Sequence, residues 1–278
     1  MLTPGFMDRA RLLHGPWQAF ERDVARLMLA NGFEKVRVVG GTGDRGADVL
    51  GMKSGELWVF QCKHTTKSGP PKEAVGEVVE AARVYGARRM VVAVSHAPSS
   101  AFSEEIQRFA RQGLKVEVAN PEVLLNLMAE SPEYSPSRRD LHDYQHEAAA
   151  LLREALTDTG RGQIVLATGL GKTVVMAEVV ADLFRDGLIK HDRALIIAHT
   201  KELVEQLHQA FWYQLPKWVR TEHLAAGEVP KLWDGIVFAT IQTVCSQAET
   251  LPPFGLLVID EAHHVGAATF QQVIDLLK

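Results

Sequence analysis

The sequence predicts an α/β protein with two domains, and three observations predict it. The run Leu166 to Thr173, LATGLGKT, lies between the apolar run Gln163-Ile164-Val165-Leu166 and the unbroken apolar-rich stretch Thr173 to Phe184. The tetrad Asp260-Glu261-Ala262-His263 follows a second apolar run, Leu256-Leu257-Val258-Ile259. Between these and an N-terminal half with its own hairpin and helix-strand alternation stands Ser131-Pro132-Glu133-Tyr134-Ser135-Pro136-Ser137, whose two prolines and three serines read as a linker. The expected division is therefore 1–130, a linker 131–137, and 138–278.

Bulk properties narrow the class. A chain of 278 residues with 46% hydrophobic content can bury two cores. It has no run of eighteen apolar residues, and Asp8, Arg9, Arg11 and His14 interrupt the start, so no membrane span or secretory signal is expected and the protein reads as cytoplasmic. Cys62 and Cys245 stand far apart, which argues against a disulfide framework or cysteine-rich zinc site and suggests two buried small residues. The net charge of −4 hides a difference between the halves. Through Glu130 there are 17 Lys and Arg against 15 Asp and Glu, leaving 13 against 19 of the totals of 30 and 34. Any contact with nucleic acid must come from local patches, for which Lys63, Lys67, Lys72, Arg83, Arg88 and Arg89 are candidates beside the alternative of solvated surface charge.

The first element is an amphipathic helix carrying Phe20, Val24, Leu27 and Met28 on one face and ending at Asn31-Gly32. A strand, Lys35 to Val39, leads into a glycine-rich loop in which Gly41, Gly43 and Gly46 match GxGxxG. That pattern binds dinucleotides only when it opens a helix, and here Ala47 to Met52 is a β-type run instead. It turns at Ser54-Gly55 and resumes as Leu57 to Lys63, giving a hairpin. Opposed residue numbers then sum to 109, so Asp48 faces Gln61 across the pair. Alternation puts Lys63 on their face, with Phe60 and Cys62 on the other. Asp48 with the carbonyl of Cys62 suits a hard cation such as magnesium, and Lys63 suits an attacking water or a phosphorus centre gaining charge. In isolation these residues equally fit the solvent side of an edge strand; the register and surroundings favour the cluster. A helix Ala74 to Tyr85, a strand Arg89 to Val94, a helix Ser103 to Gln112, a strand Lys115 to Val118 and a helix Pro121 to Met128 complete this half.

In the second half, Thr168, Gly169, Leu170, Gly171, Lys172 and Thr173 form a loop whose glycines let the backbone approach phosphate oxygens. Lys172 can stand between the outer two phosphates and Thr173 can offer a hydroxyl to magnesium. The run at 256–259 is apolar enough for a buried parallel strand, which delivers Asp260 and Glu261 to its carboxyl end. There Asp260 can hold magnesium and Glu261 can orient or deprotonate water. ATP and magnesium are the implied cofactors.

Residues from about 138 onward resemble the first RecA-like domain of a superfamily 2 DEAH-box DNA helicase or translocase, a group that includes the motors of type I and type III restriction enzymes. Leu166 departs from the strict loop pattern, as is usual in that group. The segment LHDYQ at 141–145 resembles the adenine-recognising segment, which assigns that role to Gln145, with His142 where arginine is common. ALIIAHTKELVEQ at 194–206 and IVFATIQT at 236–243 resemble two strand-and-turn elements that touch nucleic acid, the first through His199 and Thr200, the second with Thr240 and Gln242 exposed. The first half resembles the Mrr-like branch of PD-(D/E)xK restriction endonucleases, in which glutamine replaces the second acid and a helix glutamate joins the site; Glu21 is the matching position. These resemblances imply a restriction-endonuclease-like α/β/α domain before a RecA-like domain, acting together on DNA as a magnesium-dependent endonuclease and an ATP-driven motor. A DNA-binding module without cleavage, tethered to a remodeller, and an RNA helicase are the alternatives. The resemblance also implies a second RecA-like domain or subunit that closes the ATP cleft, so the chain reads as a fragment.

Overall fold

The computed structural model describes residues 5–40, 46–65, 69–225, 227–261 and 267–274. The chain divides into two compact units, Met1–Ser137 and Arg138–Lys278. Gly41, Gly43, Lys67, Ala262 and His263, singled out above, lie outside the described residues.

The first unit opens with helices α1 (Arg9–His14) and α2 (Trp17–Ala30), then strands β1 (Glu34–Val38), β2 (Val49–Lys53) and β3 (Glu56–Lys63). Helix α3 (Glu73–Tyr85), strand β4 (Arg89–Val94), helix α4 (Ser100–Ala110), strand β5 (Val116–Ala119) and helix α5 (Pro121–Glu130) follow. The sheet runs β1-β2-β3-β4-β5, antiparallel across the first three strands and parallel across the last three. Ser54 and Gly55, both at positive φ, make the tight turn of the β2–β3 hairpin. Its pairs Val49 with Phe60 and Lys53 with Glu56 give the register expected from the turn.

Alternation along β3 assigns the two faces. Leu50 and Val59 pack with Val75, Val78, Val79 and Ala82 of α3, while a side chain at Gly51 would meet Met28 of α2. The sheet is thus sandwiched, and odd positions of β3 face α3.

One expectation for this unit changes. The stretch 131–137 is not a slack tether: Ser131 and Ser135 are buried, and the Ser135 hydroxyl donates to the Leu29 carbonyl at 3.2 Å. Of the basic candidates, Lys63, Arg83, Arg88 and Arg89 lie beside Glu77, Glu80, Glu56 and Glu117, as the solvated-surface alternative for them has it.

The second unit contains α6 (Asp143–Thr159), α7 (Lys172–Arg185), β6 (Arg193–Ala198), α8 (Lys201–Phe211) and β7 (Thr221–Leu224). It continues with β8 (Gly235–Thr240), α9 (Ile241–Gln247), β9 (Leu256–Ile259) and α10 (Ala267–Ile274). The sheet order is β7-β8-β6-β9, parallel throughout. The central strands are sealed: Leu195, Ile196, Val237 and Phe238 are fully buried.

The run 163–166, expected as a strand, takes no strand conformation, and Val165 is 81% exposed. β9 differs as well. Expected to be buried, it is half-buried along its length, because among the described strands it pairs with β6 alone and so stands at the sheet edge. Strand β7, Thr-Glu-His-Leu, carries too few apolar residues to be read as core, yet all four are buried.

Candidate functional site

Two constellations form, one in each unit. In the first, Asp48 and Gln61 are both buried, and Asp48 Oδ2 accepts from Gln61 Nε2 at 2.8 Å and from the Cys62 amide at 2.5 Å. Gln61 turns its amide nitrogen to the carboxylate, which leaves its Oε1 buried without a hydrogen-bond partner among the described residues. A buried acceptor left unpaired is costly unless a ligand uses it. The Lys63 carbonyl accepts from the Ser95 amide on the β4 side, whereas the Asp48 amide donates to the Phe60 carbonyl on the β2 side. Main-chain groups alternate in direction along a strand, so Cys62 shares the Phe60 side, and its carbonyl emerges beside Asp48 where β2 begins.

Glu21 reaches this place from α2. A methyl group built on Gly40 would lie 2.8 Å from Glu21 Oε2 and 3.5 Å from Asp48 Oδ1, so the two carboxylates flank one point. Lys63 points to the same α3 face as Asp48 and Gln61, and its Nζ lies 2.6 Å from Glu77 Oε2. The structure therefore gathers Asp48, Gln61, Lys63 and Glu21 at one end of the sheet. It adds Glu77, which the sequence reading passed over.

The electrostatics agree with that crowding. Burial, then the charges of Asp48 and Glu21, push the Cys62 thiol well above its ordinary pKa against the opposing charge of Lys63. A thiol held protonated is a poor nucleophile. Iodoacetamide at neutral pH should therefore modify half-buried Cys245 first and reach Cys62 only on unfolding, and peptide mass spectrometry showing equal native labelling would refute this.

In the second unit, Gly169 and Gly171 adopt φ of 85° and 80°, the region glycine enters freely. Gly171 caps α7, so Lys172 and Thr173 begin that helix, while Thr168, Gly169 and Leu170 form the exposed turn before it. Lys172 Nζ lies 2.8 Å from Glu261 Oε1. That bond raises the Lys172 pKa, while burial followed by the Glu261 charge raises that of Asp260. The loop and the acidic pair therefore converge. Lys172 and Glu261 form an ion pair across that convergence.

Gln145 is committed inside the protein. Its Oε1 accepts from the His142 amide at 2.9 Å and its Nε2 donates to the Leu170 carbonyl at 2.9 Å, so it straps α6 to the loop. A side chain at Gly171 would strike that amide. Tyr144, also unremarked in the sequence, donates to the same carbonyl and stacks on the His142 ring. Thr200 and Thr240 are used as helix caps, for α8 and α9, and Thr240 is half-buried where exposure was expected; Gln242 is exposed.

Residues 138–278 match the family model described as type III restriction enzyme, res subunit, and residues 12–128 match one described as restriction endonuclease. The DNA 3'-5' translocase XPB2 of Sulfurisphaera tokodaii is 27% identical over 186 residues, 63% of this chain and 39% of that protein. The DEAD-box ATP-dependent DNA helicase Fancm of Drosophila melanogaster is 31% identical over 160 residues, 51% of this chain and 10% of that protein. The chain thus spans well under two thirds of the curated relatives it matches. A DNA-bound structure of the ATP-dependent type ISP restriction-modification enzyme LlaBIII matches 93% of this chain and 19% of that one, with 17% identity and a TM-score of 0.43. With a phosphate loop facing its acidic pair and the family match over the same residues, the chain belongs to the type III restriction enzyme res-subunit family and carries a restriction endonuclease domain ahead of its helicase domain.

Proposed function

We propose that the chain couples magnesium-dependent cleavage of DNA, at Asp48, Gln61, Lys63 and Glu21, to ATP hydrolysis at the loop 168–173 with Asp260 and Glu261. The observation that carries the reading is the buried Oε1 of Gln61, without a hydrogen-bond partner among the described residues, beside the Asp48 carboxylate. Among the described residues no group of three or more His, Cys, Asp and Glu forms a metal site. The donors here are of another kind: oxygens of Asp48, Gln61 and the main chain, a set that fits magnesium rather than zinc.

Bound there, magnesium would polarise a phosphodiester and lower the pKa of a water. The chain's own groups do the rest. Asp48 is fixed by its two hydrogen bonds, Glu21 adds a second carboxylate, and Lys63 supplies a cation where the phosphorus gains charge. In the second unit, nucleotide must draw Lys172 from Glu261, which frees the carboxylate to orient water as the lysine turns to phosphate. The relatives' printed names, a DNA translocase and a DNA helicase, support DNA as the substrate, and the two family models, described as a type III restriction enzyme subunit and a restriction endonuclease, support DNA restriction as the setting.

The test is incubation of methylated and unmethylated plasmid with magnesium, with and without ATP. Cutting that needs magnesium and fails in Lys63→Ala supports the reading. DNA binding with no cutting by the parent protein leaves a binding module on an ATP-driven remodeller, and ATPase stimulation by RNA but not DNA would move the assignment to RNA.

A further inference from the structure

We propose that Glu77 is the positioning residue that sets Lys63 for cleavage, an inference that rests on the nuclease reading. Lys63 carries a flexible four-carbon stem, and fixing such a side chain costs rotamer entropy. A cation that must meet one phosphate oxygen needs that entropy removed before the substrate arrives. Glu77 does this across the sheet face. Its Oε2 holds Nζ at 2.6 Å, with side-chain exposures of 24% for the lysine and 42% for the glutamate. An ion pair this open adds little stability. Its placement has the greater consequence.

Placement is fixed from two sides. α3 is held to the sheet by buried Ala74, Val75, Val78 and Val79, so the turn bearing Glu77 cannot slide. Gly46, two residues before Asp48, sits against that same turn: a methyl group there would lie 2.7 Å from the Glu77 carbonyl oxygen. Gly46 also has a φ of 84°, a conformation that side chains other than glycine's rarely adopt. One turn of α3 is thus the common reference for the approach to Asp48 and for the ammonium of Lys63. Glu77 differs in this from its helix neighbours Glu73 and Glu80, which are exposed.

The test compares single-turnover plasmid cleavage and DNA affinity for Glu77→Ala, Glu77→Gln and Glu77→Asp, with thermal melting as the check on folding. Glu77→Ala should slow cleavage about tenfold with DNA affinity and magnesium dependence unchanged, and Glu77→Asp, which keeps the charge, should recover part of the rate. Glu77→Gln is nearly isosteric, so its rate separates lost charge from a lost fold. Cleavage at the parent rate in all three variants, a faster Glu77→Gln, or slowing that tracks a lowered melting temperature would each overturn the positioning role while leaving the nuclease reading standing. A parent protein that does not cut would overturn that reading and this role together.

Discussion

Asp48→Asn is expected to abolish magnesium-dependent plasmid cleavage without unfolding the first unit. Stabilisation of a developing charge by a bound metal amounts to several kcal/mol, and at about 1.4 kcal/mol per decade this is a rate loss of roughly 10²- to 10³-fold. Asparagine keeps the shape of aspartate, and its oxygen can still accept from the Cys62 amide. With its oxygen in the Oδ2 position it also keeps the bond from the Gln61 amide nitrogen, and its new NH2 group takes the Oδ1 position on the Glu21 side. The melting temperature should therefore shift by only a few degrees, whereas Asp48→Ala would strand both donors. Persistent magnesium-dependent cutting by Asp48→Asn would remove this carboxylate from the site.

Lys172→Ala carries the second large effect. A charge-assisted bond contributes about 1.5–3 kcal/mol, so losing the lysine's contact with phosphate should weaken nucleotide binding roughly 10- to 100-fold by calorimetry. The same change leaves Glu261 and Asp260 facing each other without the cation that now opposes their repulsion. Glu261→Gln should behave in the opposite way, retaining or tightening nucleotide binding while losing hydrolysis. Equal affinities for the parent and Lys172→Ala would separate this loop from nucleotide.

How much of this was legible before folding depended on how local each signal is. Hairpin register follows from one turn and strict alternation, so Asp48 opposite Gln61 could be counted out from Ser54-Gly55. Helices with an apolar stripe, such as α2 and α3, were equally plain. Tertiary decisions were not. Residues 163–166 have strand composition but no paired neighbour in this structure, and β9 has core composition yet an edge position. In the opposite sense, β7 buries polar side chains because His223 and Thr221 find a partner in His208 of α8, a match no pattern of hydrophobicity reveals. Glu77 was hidden for the same reason: it lies fourteen positions from Lys63, and only the packing of α3 closes that distance.

The two glycines of the phosphate loop turn out to be irreplaceable to different degrees. Both need positive φ, a demand that asparagine meets at modest cost. At Gly169 nothing stands within 4 Å of an added β-carbon, so the constraint there is torsional and a tolerant side chain satisfies it. At Gly171 the Gln145 amide nitrogen stands 2.4 Å from an added β-carbon, so a side chain there also requires that amide to leave its bonds to His142 and Leu170. The first position thus answers to torsion alone, whereas the second is tied to the strap between α6 and the loop.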